Sequence, residues 1–228
     1  RFAVSSANYI DWERDNHVFE EMAIYSHRGF TLTNVAKPVQ VDASAVSPKF
    51  FEILGVQPFL GRTLLPDEDD PGRSHVVVLS YRFWQEHFGS NHDIVGHDVT
   101  IDGSNYLVAG VMPPSFRFPD YAQMWTPMAW TDTDRSVRGE HHYVVIARLK
   151  PGVGVNAAQA EMNTISSRLA QLYPADDKGW GAVVVSLHQD LVSDVRPAML
   201  VLLGAVACVL LIACVNVANL ILAKAFGR

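Results

Sequence analysis

The chain has 228 residues, with 24 acidic against 18 basic side chains and a formal net charge of −6. That balance argues against nucleic acid and anionic lipid as partners, since both need clustered cations. Hydrophobic residues make up 49% of the chain, enough for a sizeable core, but they are concentrated at one place: 26 consecutive residues, 198–223, carry no charged side chain.

Residues 5 to about 22 read as helical, with Ser5 or Ser6 capping the first amides, Tyr9, Trp12 and Phe19 on one face, and Asp15-Asn16 breaking or recapping the helix. Strand-like runs follow at 29–32 and 39–46, the second alternating apolar and polar residues. Ser47, Pro48 and Gly55 punctuate a short helix whose apolar face is Phe50, Phe51 and Leu54. From Gly61-Arg62 the chain reads as loop, including a solvated acidic run at 67–70. The apolar run 76–79 is a buried strand; Ser80 then caps a helix over 81–88 that stops at Gly89. Strands 99–101 and 106–112 flank Asp102-Gly103, the turn chemistry of a hairpin. Prolines 113, 114, 119 and 127 predict an irregular segment with Trp125 and Trp130 tucked against the core. A strand over 143–149 ends at Pro151-Gly152, and Ala158, Met162, Ile165, Leu169 and Leu172 stripe a helix over 156–173 that ends at Pro174. Residues 183–187 form the expected last strand. The result is an α+β fold in two lobes, a split βαβ lobe of about 1–55 and 143–190 with a second lobe of about 56–142 inserted into it.

A helix over the 26 uncharged residues would reach roughly 39 Å against a hydrocarbon core of about 30 Å. Residues 196–224 are therefore expected to form a transmembrane helix. Lys224 and Arg228 outweigh Arg196 as flanking cations, which places 225–228 in the cytoplasm and 1–195 outside it. All 24 acidic and 16 of the 18 basic residues precede the apolar run, so the outer region is strongly acidic. Both cysteines, Cys208 and Cys214, fall within the run, leaving the outer region without a disulfide, as in many bacterial proteins. Starting without Met and stopping soon after the apolar run, the sequence reads as a piece of a longer protein. Asn216 and Asn219 share one helical face, where an amide facing lipid would be costly, and Gly204, Ala205 and Cys208 permit close helix approach. These positions predict packing against further transmembrane helices rather than a lone anchor.

Catalytic signatures are lacking. No G-x-x-x-x-G-K-[ST] is present, and Gly152-Val153-Gly154 lacks the third glycine of a dinucleotide fingerprint. Neighbouring Glu140, His141 and His142 have no further ligand at metal spacing, the acidic run lacks the spacing of an EF-hand, and no G-x-S-x-G elbow occurs. The expectation is a non-enzymatic chain without catalytic residues, cofactor or metal.

Several stretches taken in order carry a resemblance: Phe50-Phe51-Glu52-Ile53-Leu54-Gly55, Gly61-Arg62, Val77-Val78-Leu79-Ser80-Tyr81 with Trp84, Ile94-Val95-Gly96, Val108-Ala109-Gly110-Val111-Met112-Pro113, Ala147-Arg148-Leu149-Lys150-Pro151-Gly152, and the run 211–220. The chain resembles the MacB-like periplasmic core domain followed by the next transmembrane helix of an FtsX-type ABC transporter permease, in the manner of the duplicated acidobacterial permeases. The resemblance implies a porter-like lobe with an inserted lobe, in a dimeric permease of the bacterial cytoplasmic membrane. It further implies a separate ATPase subunit that hydrolyses ATP and drives periplasmic motion (mechanotransmission), with a periplasmic adaptor or outer-membrane protein as a further partner. A glycine-free path over 183–197 would suit such force transfer. Two rival classes are a membrane-tethered periplasmic binding or sensor domain and an extracytoplasmic hydrolase.

Overall fold

The computed structural model describes residues 3–33, 38–193, 201 and 203–212. The chain divides into two compact units, Arg1–Val184 and Val185–Arg228. In the first unit the elements run α1 (Ser6–Asp15), β1 (Phe19–Thr33), β2 (Val39–Val46), α2 (Phe50–Ile53), β3 (Leu60–Gly61), β4 (Val76–Leu79), α3 (Tyr81–Phe88), β5 (Asp98–Ile101), β6 (Ser104–Val111), β7 (Met124–Pro127), α4 (Asp132–Ser136), β8 (Val144–Leu149) and α5 (Val155–Leu172). The second unit contains α6 (Leu187–Ser193) and is helical at 201 and over 203–212. The architecture is a mixed α+β one.

Strand β1 organises the sheet. Its first half pairs with β8, its second half with β2, and its last residues with β5. Tyr25 is opposite both Val144 and Val46, and Leu32 opposite both Val39 and Ile101. Since the order β2-β7-β4-β6-β5-β1 returns to β2 through the β1–β2 ladder, these six strands close a ring, and closure removes free sheet edges. β8 continues the sheet outside the ring, along the other half of β1. Inside the ring, Leu32, Val41, Val77, Leu79, Ile101, Val108 and Met124 pack with Phe83 and Trp84 of α3. A second core sets Met22, Ile24 and Tyr143 against Tyr9 of α1 and Met162, Ile165 and Leu169 of α5. A third gathers Tyr25, Phe50, Phe51, Phe116 and Trp125, rings meeting edge to face at 5.6 Å for Tyr25–Phe50 and 5.8 Å for Phe51–Trp125.

Local chemistry accounts for most boundaries. Ser80 Oγ accepts the Phe83 N–H at 3.2 Å and Gly89 closes α3 at φ +58°. Asp102 and Gly103 both take positive φ, +48° and +78°, as a two-residue type I′ hairpin requires. The turn is fastened to β1, because Thr31 N–H donates to Asp102 Oδ1 at 2.8 Å and Asp102 N–H to the Thr31 carbonyl at 2.9 Å.

Four expectations are corrected. The first helix ends at Asp15, at the expected Asp15-Asn16 break, but does not resume towards residue 22: the Asn16 amide donates to the Trp12 carbonyl at 2.8 Å while its Oδ1 accepts the Phe19 N–H, so β1 begins at Phe19. The segment of prolines 113, 114, 119 and 127, expected to be irregular, supplies β7, which pairs with β2 and β4; Pro127 lies at the strand's end, where the lost donor costs little. The acidic run is a 3-10 helix, Pro66–Asp69, not a solvated loop. Glu68 is buried and doubly hydrogen-bonded to Arg62, and Asp69, whose carboxyl burial raises above its ordinary range, accepts the Ala129 N–H at 2.8 Å. The strand expected over 183–187 is absent. One side chain of α5 meets the chain there instead, as Gln159 Oε1 accepts the Val184 N–H and Gln159 Nε2 donates to the Ala182 carbonyl, each at 2.7 Å, and Leu187 already begins α6.

Among the described residues no helix is long and apolar enough to cross a membrane. Most of the span expected over 196–224 lies outside them; its described part is helical and exposed.

Candidate functional site

Arg138 stands where the two ends of the first unit come together. Nothing regular leads up to it: α4 ends at Ser136, and Arg138 follows the turn at Val137. The chain start is fixed beside it, with the Ala7 N–H donating to the Val137 carbonyl at 3.2 Å, Ser6 Oγ to the same carbonyl at 3.1 Å, and Val4 exchanging two backbone hydrogen bonds with Tyr143. The far end arrives as the turn after α5, in which the Asp177 N–H donates to the Tyr173 carbonyl at 2.9 Å.

Side chains lock these pieces together. Asn8 Nδ2 donates to Asp177 Oδ1 at 2.6 Å, and the Arg138 guanidinium donates to Asn8 Oδ1, to Asp11 Oδ2 at 2.8 Å and to Asp177 Oδ2 at 3.5 Å. The Arg138 Cζ lies 3.7 Å from the centroid of the Tyr173 ring, a cation–π contact. The charged members are shielded from water, the Asp177 side chain being 3% exposed and that of Arg138 13%, while the Tyr173 ring is exposed. A buried carboxylate needs such a partner, because its desolvation is otherwise uncompensated. The arrangement is a polar clasp: it binds α1 to the 173–184 segment through one guanidinium.

Beside the clasp, Trp180 stacks on His141 with ring centroids 4.0 Å apart and planes 8° from parallel. Both rings line a cleft shared with Ala3, Val4, Asn8, Trp12, Ser166, Leu169, Asp177 and Gly181. Of the triplet Glu140-His141-His142 singled out in sequence, His141 joins this stack and His142 lies against Tyr143, centroids 4.0 Å apart. Among the described residues no cluster of three or more metal-ligating side chains forms.

One ion pair ties α1 to α5 at the surface: Arg168 donates to Asp15, which also accepts from Arg14 at 2.7 Å. The hydrogen bond from Arg14, then the charges of Arg14 and Arg168, hold the Asp15 carboxyl below its ordinary value of 3.8. A carboxylate with a depressed folded pKa contributes stability that is complete above the unfolded value and lost as pH falls through the folded one. Replacing Asp15 with asparagine should therefore leave acid unfolding shallower below about pH 4, and salt should weaken the wild-type effect because Arg14 and Arg168 are solvent-exposed. Denaturant midpoints measured between pH 2 and 6 at two salt concentrations check both.

The residues expected to pack between transmembrane helices are only partly described. Gly204 and Cys208 are helical and exposed, and a Cβ built at Gly204 would meet nothing within 4 Å. Asn216 and Asn219 lie outside the described residues. None of the clasp residues stood out in the sequence, where Asn8, Asp11, Arg138 and Asp177 are isolated polar positions far apart along the chain.

The family model of the MacB-like periplasmic core domain matches residues 3–165. Among solved structures, the periplasmic region of MacB from Actinobacillus actinomycetemcomitans is similar with a TM-score of 0.55 at 16% identity, over 78% of this chain and 77% of that one. A domain of a putative permease protein from Porphyromonas gingivalis gives 0.56 at 15% identity, over 83% and 86%. The extracellular domain of the noncanonic ABC-type transporter YknZ from Gram-positive bacteria gives 0.57 at 11%, over 81% and 90%. No curated protein matches the chain.

Proposed function

This chain belongs to the family of MacB-like periplasmic core domains, the non-catalytic outer domains of ABC-transporter permeases, and on that premise we propose that it is part of a dimeric permease whose periplasmic domain is moved by a separate cytoplasmic ATPase. Residues 1–195 lie in the periplasm in this reading, in lobes of about 1–55 with 143–190 and about 56–142. Residues 196–224 cross the bacterial cytoplasmic membrane, and 225–228 begin a cytoplasmic segment. Gly204, Cys208, Asn216 and Asn219 face sibling helices. The chain itself carries no cofactor, ATP being used by its partner, and a periplasmic adaptor or outer-membrane protein completes the assembly.

The observation that carries the reading is the clasp. A domain moved from its ends must hold those ends firmly, and Arg138 joins α1 to the 173–184 segment through buried, charge-assisted hydrogen bonds. The Asn8–Asp177 and Arg138–Asp11 hydrogen bonds, at 2.6 and 2.8 Å, are short and directional, so displacement of one end is passed to the other rather than absorbed. The apolar composition of 198–223 supports the membrane assignment.

Two measurements test this. An impermeant amine reagent applied to intact cells should label Lys49 and Lys150, and purification of the full-length protein from native membranes should bring down an ATPase subunit. Labelling only after lysis overturns the topology. Outside labelling without any ATPase favours the tethered sensor instead.

A further inference from the structure

Among the described residues three non-glycines take positive φ: Ser90, Asp102 and Ala129. The first two have local reasons. Ser90 follows the glycine that closes α3, and Asp102 sits in the hairpin turn, where a short polar side chain tolerates the left-handed region. Ala129, at φ +53°, has no polar group of its own, so its conformation is imposed by its surroundings. They grip one peptide unit from both sides. The Ala129 N–H donates to Asp69 Oδ1 at 2.8 Å, and the Met128 carbonyl accepts a long bond from Arg28 Nη2 at 3.4 Å. The flanking residues are fixed: the Met128 N–H donates to the Val46 carbonyl at 3.0 Å, the Trp130 indole donates to Tyr143 Oη at 2.9 Å, and both residues are buried.

We propose that the Met128–Ala129 peptide is a two-position switch, held in its strained orientation by Asp69 and Arg28 and released when Asp69 loses its charge. Rotating that one plane by half a turn, through opposite changes in ψ of Met128 and φ of Ala129, returns Ala129 to negative φ while the chain on either side keeps its course. The turned carbonyl then faces Asp69. An ionised carboxylate repels it, whereas a protonated one donates to it. Arg28 is solvent-exposed and swings clear of the turned N–H. The direction of the pH effect follows from what the rotation changes. Burial, the largest influence, raises the Asp69 carboxyl, and the bond from Ala129 lowers it. Rotation removes the lowering bond and keeps the burial, so the proton binds more tightly in the released position; acid favours release, and the hold is complete only once the carboxyl is ionised. Because burial leaves the carboxyl above its ordinary value of 3.8, mild acid suffices. The other charges facing Asp69 are Arg135 of α4, which opposes protonation, and Asp70 beside it, which favours protonation. Tyr9 of α1 also feels its charge but stays neutral, since burial pushes its hydroxyl up. The peptide lies between β7 of the ring and α4, whose end leads to Arg138, so its position sets how the ring is joined to the clasp. The inference is independent of the transporter reading.

Hydrogen exchange of the residue 129 amide, followed by NMR in the intact 15N-labelled chain in detergent micelles, provides the test. Protection relative to the intrinsic rate at neutral pH should fall about tenfold or more in Asp69→Asn, which loses the charged acceptor and gains a donor for the turned carbonyl. Ala129→Gly should raise protection about five- to thirtyfold, because glycine takes positive φ without the cost an alanine bears. Wild type should lose protection on acidification towards the carboxylate range, and Asp69→Asn should show no such dependence. The Val78 and Val108 amides of the ring serve as the reference for an intact fold. A residue 129 amide that exchanges freely at neutral pH, or whose protection stays level as wild type is acidified, overturns the proposal without any variant. Ala129→Gly leaving protection unchanged or lowering it overturns it equally, since the held position would then carry no strain.

Discussion

Replacing Arg138 with methionine, which keeps the stem and deletes the charge, is expected to destabilise the first unit by about 3 to 5 kcal/mol, the cost of leaving buried carboxylates without their partner. Asp177 would then keep only the hydrogen bond from Asn8, and Asp11 only its ion pair with the exposed Arg14. Asn8 would lose the donor to its Oδ1 and Tyr173 the cation over its ring. The thermal midpoint should fall by on the order of 10 °C for a unit of this size. Because the damage arises from uncompensated charge, it should be largely repaired by neutralising the carboxylates too. The triple variant Asp11→Asn, Arg138→Met, Asp177→Asn should regain more than half of the loss, since replacing a whole buried ionic group costs far less than halving it. Equilibrium urea unfolding of wild type and the two variants decides the matter. An Arg138→Met variant within about 0.5 kcal/mol of wild type, the range of ordinary surface changes, would show that the clasp holds nothing.

Gly110→Ala is expected to cost about 3 kcal/mol or prevent folding, since overpacking against backbone leaves no flexible side chain to yield. A Cβ at Gly110 would sit 2.4 Å from the Arg62 carbonyl oxygen and 2.6 Å from that of Leu60. β3 crosses β6 at this point, with the Arg62 N–H donating to the Ala109 carbonyl at 2.9 Å and the Phe59 N–H to the Val111 carbonyl at 2.7 Å. The opposing Gly61 is constrained twice over: its φ is +68°, and its Cβ would lie 2.2 Å from the Ala109 oxygen. Gly29→Ala is the control. Gly29 lies in β1 opposite Asp42, with nothing within 4 Å of its would-be Cβ, so the change should be neutral or stabilise by up to about 1 kcal/mol. Circular dichroism and urea midpoints of the two variants check the contrast. Equal effects at positions 29 and 110 would refute the close-approach argument.

Features written in neighbouring residues were legible in the sequence. Ser80 and Gly89 bracket α3, the apolar stripe of α5 falls on Ala158, Met162, Ile165 and Leu169, and Asp102-Gly103 turns the β5–β6 hairpin. Leu172, counted in that stripe, is exposed because it sits in the last turn, beyond the sheet it would have packed on. What escaped the sequence depended on distant partners. β7 is a strand because β2 and β4 offer it ladders on both sides, not because Met124-Trp125-Thr126-Pro127 favours one. The run 183–187 reads as a strand, yet among the described residues no strand pairs with it and Gln159 of α5 takes the Val184 N–H and the Ala182 carbonyl. The clasp is the extreme case. Asn8 meets Arg138 across 130 residues and Asp177 across 169, and isolated polar positions carry no periodicity that could announce them.

The long first strand also imposes a schedule on the emerging polypeptide. It can zip onto β2 almost as soon as both have left the ribosome, but the partners for its remaining edge, 98–101 and 144–149, are synthesised much later. Until then its backbone donors and acceptors stay open on one side, a template for the wrong neighbour. Topologies that wait on such distant closures nucleate slowly and expose sticky intermediates. A nascent chain stalled before β8 is therefore the species on which chaperones and proteases should act.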